Sequence, residues 1–156
     1  MGAHASLTDT TEEQFDELMN VHVKGVLFMT QNILPLIRDG GSIVNISSGL
    51  ARFSLPGYGV YAAMKGAVEV MTRYIATEMA ERGITVNTIA PGAIETDFGG
   101  GAVRDNADVN AFVSSMTALG RAGVPDDIGG SVASLLTGNN QWISGQRIEV
   151  SGGMFL

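Results

Sequence analysis

Two long helical patterns, each followed by a short β-branched run, most constrain what this chain can fold into. Apolar side chains recur at helical spacing over residues 11–38, and a second helical pattern covers residues 61–82. β-Branched runs follow these patterns over residues 42–47 and 84–90. Helices that alternate with short apolar strands are typical of a parallel sheet whose two faces are covered by helices.

The rest of the chain continues this alternation. Pro125, which suits the first turn of a helix, opens a third helical pattern that reaches residue 136, and residues 147–150 read as a last strand. Residues 97–118 are irregular and glycine-rich, and we expect them to form a mobile flap with one short helix. We therefore predict a single α/β domain over residues 1–156, with about three parallel strands and long flanking helices.

No strand-like run precedes the first helix. In an α/β sheet a strand normally leads into each helix, but the residues before Thr11 contain no β-branched run. We therefore expect one edge of the three-stranded sheet to be unpaired. Since an unpaired strand edge can pair with another chain, the sequence predicts a homo-oligomer.

Charge and composition argue against several classes of partner. The net charge is −7 at pH 7 and Lys24 and Lys65 are the only lysines, so no basic stripe is available for nucleic acid or an anionic membrane. The chain has no cysteine, and His4 and His22 lie far apart in the sequence, so we predict no metal site. No segment has the pattern of a signal peptide or a membrane span, and we expect a cytoplasmic protein.

A serine, a tyrosine and a lysine are the strongest candidates for chemistry. Ser48 follows the first strand, Tyr61 comes 13 residues later, and Lys65 stands four residues after Tyr61 on the same helical face. A free tyrosine has a pKa of about 10, and an adjacent ammonium group favours the phenolate. The spacing indicates an acid–base centre, although a strand-end cap and a helix surface pair would use the same residue types.

These three residues stand within motifs that resemble the C-terminal portion of the short-chain dehydrogenase/reductase family. The resemblance covers nearly the whole chain, and its five motifs occur in the order and spacing of that family. The motifs are Asn45-Ile-Ser-Ser48, Tyr61-Ala-Ala-Met-Lys65, Val86-Asn-Thr-Ile-Ala-Pro-Gly92, Gly120-Arg-Ala-Gly-Val-Pro125 and Gly145-Gln-Arg-Ile-Glu-Val-Ser-Gly-Gly153. The resemblance implies a partial Rossmann-type, doubly wound parallel sheet, with NAD or NADP as cofactor. The implied reaction is hydride transfer between the nicotinamide and a small-molecule secondary alcohol or ketone.

The resemblance also implies roles for individual residues. Tyr61 would exchange a proton with the substrate oxygen, Ser48 would orient that oxygen, and Lys65 would also hold the nicotinamide ribose. The implied cofactor-binding residues are Tyr61, Lys65, Pro91, Gly92, Ile94 and Thr96. Within the flap, substrate specificity would be set by Phe98, Val103, Phe112 and Met116.

One position in the first helix departs from the family pattern. The family commonly has an asparagine there that supports a proton relay, whereas this chain has His22, and Asn20 lies on a different helical face. A histidine can donate and accept a proton near neutral pH, so we expect His22 to take part in catalysis. A purely structural histidine is the alternative.

The family's glycine-rich turn and its other nucleotide-binding elements have no counterpart in this sequence. We therefore expect a truncated member of the family that lacks the N-terminal nucleotide-binding half. Two functions remain open: an oxidoreductase that is inactive alone, or a non-catalytic module that serves only oligomerisation. The candidate oligomer contacts are Met19, Val26, Met71 and Ile75, for which a place in the core is the alternative. A serine hydrolase is disfavoured because Ser48 lacks the Gly-x-Ser-x-Gly turn.

Overall fold

Three parallel strands form the centre of the protein in a computed structural model that describes residues 4–156. Strand β1 is Ser42–Ile46, β2 is Thr85–Pro91 and β3 is Arg147–Val150, in the spatial order β1-β2-β3. The predicted α/β class with about three parallel strands is confirmed. The predicted single domain also included residues 1–3, which lie outside the described part of the chain.

The register of the strands determines which residues meet at the carboxyl edge of the sheet. Ile46 pairs with Ile89, and Pro91 pairs with Val150. Because the strands are parallel, the turns that follow them lie side by side at this edge, where ligands bind in open α/β sheets. β2 is central and buried at six of its seven positions, whereas β1 and β3 each pair on one side only within residues 4–156.

The first helical region is not one regular helix, as the pattern over residues 11–38 had indicated. It consists of α1 (Glu12–Met19), a π-helical turn (Asn20–Lys24), α2 (Gly25–Ile33) and a 3₁₀ turn (Leu34–Leu36). Thr11 and Gln14 cap the start through reciprocal hydrogen bonds, and Pro35 lies within the terminal 3₁₀ turn. A π turn inserts an extra residue and rotates the side chains that follow, and such turns are frequent at functional sites.

Helix α3 (Gly59–Glu78) begins two residues before its predicted start and is followed by a 3₁₀ turn (Ala80–Arg82). Its buried face carries both apolar and polar groups. Thr72 is 1% exposed, its hydroxyl accepts a hydrogen bond from the Asn45 amide at 2.9 Å, and it pairs with the Thr88 hydroxyl at 2.7 Å. These bonds tie α3 to β1 and β2.

The apolar core corrects part of the predicted oligomer surface. Ile75 is 9% exposed and belongs to a core cluster with Ile43 and Val86, and Met71 packs against that cluster. These side chains stabilise the single chain and are not available as a free surface. The exposed apolar residues of the two long helical regions are Phe15, Val21, Leu27, Phe28, Met29, Ile33, Leu36, Val70 and Tyr74.

The segment predicted as a flap contains more regular structure than expected. It consists of a 3₁₀ turn (Phe98–Gly101), α4 (Ala102–Asp105) and α5 (Ala107–Ser115). Three consecutive glycines, residues 99–101, have positive φ angles, which other residues rarely adopt. After this segment, α6 (Pro125–Leu136) has the bounds that the sequence predicts. None of the helices within residues 4–156 has the length and apolar character needed to cross a membrane.

Candidate active site

A cavity of about 730 Å³ opens where β1 and β2 end. Every residue predicted for catalysis or cofactor binding lines it: His22, Ser48, Tyr61, Lys65, Pro91, Gly92, Ile94 and Thr96. They come from the π turn, the loop after β1, helix α3 and the turn after β2. The fold therefore gathers on one cavity the residues that the sequence motifs single out.

Tyr61 is buried and protonated at neutral pH. Burial of the phenol raises its pKa above the ordinary value of 10.0, and a hydrogen bond with the Ser48 hydroxyl only partly opposes this effect. This direction is opposite to the one that the neighbouring ammonium group alone would give. The outcome differs because loss of solvent around the ring outweighs that attraction.

Lys65 is also buried, and its ammonium group is held close to the strand end. Nζ donates a hydrogen bond to the Ile46 carbonyl at 3.0 Å and lies 5.6 Å from the centre of the Tyr61 ring. Burial lowers the pKa of this amine below its ordinary value of 10.5. The carbonyl thus fixes a cation beside the ring of Tyr61.

The π turn brings His22 to the edge of Tyr61. The two rings are 5.2 Å apart between centroids and nearly perpendicular, with an angle of 85°. Asn20 begins the same turn but does not line the cavity. This placement is consistent with the expected role of His22 in proton transfer and leaves that role a prediction.

The turn after β2 is shaped by a close backbone contact. A Cβ atom at Gly92 would lie 2.9 Å from the Cα atom of Ser151, so only glycine fits there without a shift. Backbone hydrogen bonds join the turn to the loop before α6, from Gly123 N to Ala93 O and from Glu95 N to Gly123 O. These contacts hold Pro91, Gly92 and Ile94 as one rigid wall of the cavity.

The remaining walls are mostly aromatic and aliphatic. Phe98, Val103 and Phe112 line the cavity as predicted, but Met116 does not, because it caps α5 and its carbonyl accepts a hydrogen bond from Phe155 N. The sequence motifs gave no signal for several further lining residues: Leu50, Phe53, Leu55, Ile128 and Met154. Among the described lining residues, Lys65 is the only Lys, Arg, Asp or Glu.

Two further observations bear on the chemistry of the cavity. Tyr58, which sequence spacing ranks below Tyr61, also lines it and packs edge-to-face on the His4 ring at 5.0 Å. Within residues 4–156, no group of three or more His, Cys, Asp or Glu side chains could hold a metal ion. The groups available for reaction in the described cavity are therefore hydroxyls, an ammonium and an imidazole.

A family model described as enoyl-(acyl carrier protein) reductase matches residues 1–155. The chain therefore belongs to the short-chain dehydrogenase/reductase family that this model represents. The resemblance read from the five motifs is confirmed.

Individual relatives agree with this assignment. The chain is 38% identical to the dehydrogenase OXI1 of Cochliobolus heterostrophus over 97% of its own length and 66% of that protein. It superposes on the reductase LugOII, which catalyses keto-reduction at C1 during lugdunomycin biosynthesis, with a TM-score of 0.93 and 37% identity over 98% of this chain and 59% of that one. For the angucycline C-6 ketoreductase LanV with bound NADP, the TM-score is 0.92 at 34% identity over 99% and 59%. The chain thus spans about three fifths of the length of these two ketoreductases.

Proposed function

We propose that this chain supplies the acid–base and substrate-binding half of an NAD(P)-dependent ketoreductase, which converts a ketone into a secondary alcohol. The observation that carries the proposal is the arrangement of Ser48, Tyr61 and Lys65 on one wall of an apolar cavity, with Tyr61 protonated. A protonated phenol suits reduction, since the carbonyl oxygen must gain a proton as it becomes a hydroxyl.

Each polar residue of the wall has a distinct task in this proposal. Tyr61 donates its proton to the substrate oxygen, and Ser48 donates a hydrogen bond that orients that oxygen. Lys65 places positive charge beside Tyr61 and so stabilises the negative charge that Tyr61 acquires when its proton leaves. His22, at the ring edge, returns a proton to Tyr61 from solvent.

The cavity also fits a nicotinamide cofactor, which would supply the hydride. The residues that would hold it are Tyr61, Lys65, Pro91, Gly92, Ile94 and Thr96, all of which line the cavity. The fit rests on an ammonium donor at Lys65, hydroxyl groups at Tyr61 and Thr96, and a rigid turn at Gly92 that brings backbone close to the cavity. LanV, with its bound NADP, supports the choice of NAD or NADP.

The lining of the cavity points to an uncharged, ring-bearing ketone as substrate. Phe53, Tyr58, Phe98 and Phe112 supply aromatic surfaces, and no acidic side chain is among the described lining residues. Aromatic faces bind flat apolar molecules well, while a charged substrate would lose its hydration without gaining a partner. The description of LanV as an angucycline ketoreductase is consistent with a substrate of this kind.

The first test is whether the 156-residue chain binds the cofactor. We expect saturable binding of NADPH or NADH, followed by cofactor fluorescence, and we expect Lys65→Ala to weaken it about tenfold or more, because a charge-assisted hydrogen bond is lost. Lys24→Ala is the matched control, since Lys24 is the only other lysine and does not line the cavity. An equal loss of cofactor affinity in both variants would contradict the role of Lys65.

A second function, oligomerisation without catalysis, is favoured by a different observation. Phe28, Met29 and Tyr74 expose 52%, 63% and 68% of their surface on the two long helical regions, and large exposed apolar side chains are a feature of interaction surfaces. The same surface would also serve a catalytic oligomer. Absence of cofactor binding up to about 1 mM would favour this function alone.

We expect the chain to be a dimer or larger in light scattering after gel filtration, and Phe28→Glu to shift it toward the monomer. A buried charge without a partner is unfavourable, so an interface containing Phe28 should not tolerate the substitution. Leu7→Glu is the control, because Leu7 is 91% exposed and lies outside these helices. A wild-type chain that runs as a clean monomer would refute the prediction.

A further inference from the structure

A group of charged side chains lies directly behind the wall that carries Ser48. Arg147, on β3, donates from Nε to the Glu69 carboxylate at 2.8 Å and from Nη1 to the Glu149 carboxylate at 2.8 Å. Its third donor, Nη2, reaches the backbone carbonyl of Ser48 at 3.4 Å. A single guanidinium thus joins β3, α3 and Ser48 in the loop after β1.

Glu69 connects this group to the remaining residues of the wall. It lies one helical turn after Lys65 on α3, and the oxygen that faces Arg147 also accepts a hydrogen bond from the Ser47 hydroxyl at 2.6 Å. The same Ser47 hydroxyl lies 3.3 Å from the backbone carbonyl of Lys65. Ser47, directly after β1, is therefore held against α3 at the level of Lys65 and Glu69.

Glu149 is the second carboxylate that accepts a hydrogen bond from the Arg147 guanidinium. Burial opposes its ionisation, but hydrogen bonds from Arg52, Arg147 and Ser151 lower its pKa to about 2. Glu149 is therefore charged at neutral pH, and Arg52 meets it with two hydrogen bonds of 2.6 Å. Arg52 also donates to the Met154 carbonyl at 2.7 Å, which extends the network to a residue that lines the cavity.

Stability alone does not explain such a network. The side chains of Arg147, Glu69 and Glu149 are only 23%, 13% and 20% exposed, so each charge has lost much of its hydration. In a partly buried ion pair, the attraction between the charges offsets this loss of hydration only when the geometry is good. Apolar residues of similar size often stabilise a protein as well or better. What the network adds is a fixed direction at each hydrogen bond, which apolar contacts do not provide.

We propose that Arg147 and Glu69 are positioning residues that fix Ser48 relative to Tyr61. The proposal rests on the catalytic roles proposed above. The Ser48 carbonyl accepts from Ala51 N at 3.1 Å as well as from Arg147, and its hydroxyl accepts from Leu50 N at 3.2 Å. Because both polar groups of Ser48 are held, its hydroxyl stays in place beside the Tyr61 hydroxyl.

The test reads the hydrogen bond between Ser48 and Tyr61 directly and needs no cofactor. The chain has three tyrosines, so ¹³Cζ-labelled tyrosine gives a small set of NMR signals, of which that of Tyr61 is assigned by its loss in Tyr61→Phe. We expect Arg147→Met to move the Tyr61 signal, at neutral pH and in its alkaline titration, toward the position found for Ser48→Ala. The control is Arg82→Met, since Arg82 also bonds an acidic side chain and two backbone carbonyls but lies away from the cavity.

A Tyr61 signal in Arg147→Met that matches the wild type would overturn the proposal. Circular dichroism shows whether each variant is folded, and if Arg147→Met is not, then Glu69→Gln, which keeps shape and removes charge, decides by the same criterion. The result does not depend on activity. A wild-type chain that fails to bind cofactor would count against the proposed function, whereas an unmoved Tyr61 signal would count only against the positioning role.

Discussion

Tyr61→Phe should lower the rate of ketone reduction about 10²- to 10⁴-fold, which is the usual contribution of a positioned general acid. The substitution removes only the hydroxyl, and the ring is 6% exposed, so the fold should persist. Turnover is measured as cofactor oxidation, in a polypeptide that includes a complete nucleotide-binding half. Tyr58→Phe is the matched control, because Tyr58 lines the same cavity three residues earlier in the chain. Similar losses in both variants would show that Tyr61 has no special part in proton transfer.

The pH dependence of the same reaction gives a second reading of Tyr61. Because burial raises its pKa, the phenol stays protonated through neutral pH and loses its proton only above the ordinary value of 10.0. Ketone reduction should therefore keep its rate through neutral pH and decline at alkaline pH, where the Lys65 ammonium, whose pKa is lowered from 10.5, and the Tyr61 phenol lose their protons. In Tyr61→Phe the residual rate should lack the part of this decline that comes from the phenol.

Ile89→Ala should lower the free energy of unfolding by about 2–5 kcal/mol, the range for deletion of a fully buried isoleucine side chain. Ile89 lies in the central strand β2 and has 0% of its surface exposed. Its removal leaves a cavity between the sheet and the helices that cover it. Urea denaturation followed by circular dichroism measures the change.

The neighbouring strand offers a matched control for this loss. Ile46 is the register partner of Ile89 in β1, yet 43% of its surface is exposed. Ile46→Ala should therefore cost less than about 1.5 kcal/mol, since part of its side chain already contacts water. If Ile46→Ala lowers the free energy of unfolding as much as Ile89→Ala does, another segment or another copy of the chain covers this edge of the sheet.

The elements of the fold and the residues on the cavity were predictable because they depend on local spacing. Tyr61 and Lys65 are four residues apart in a helix, which places them on one face, and Ser48 and Gly92 follow strands whose parallel pairing brings them together. The resemblance of the motifs to the family added the chemistry of these residues only as an expectation. Strand bounds were within a residue of those in the structure.

Features that depend on contacts between distant parts of the chain were not predictable. Arg147 meets Glu69 across 78 residues of sequence, and no spacing rule links the two. The π turn at His22 was not predictable either, since a helical pattern alone does not reveal an inserted residue. The direction of the Tyr61 pKa shift depends on how much solvent surrounds the ring, which the sequence does not specify.

The backbone pairing of the C-terminal segment with residues 116–119 divides residues 97–119 into a tied end and a free-standing end. Hydrogen bonds join Phe155 N to Met116 O, Ala118 N to Gly153 O and Leu119 N to Gly152 O. These bonds tie residues 116–119 to the end of the chain. The opposite end, residues 99–101, consists of glycines that can change their backbone angles at little cost. A change of backbone conformation in this segment should therefore cost less at residues 99–101 than at residues 116–119, where backbone hydrogen bonds would break.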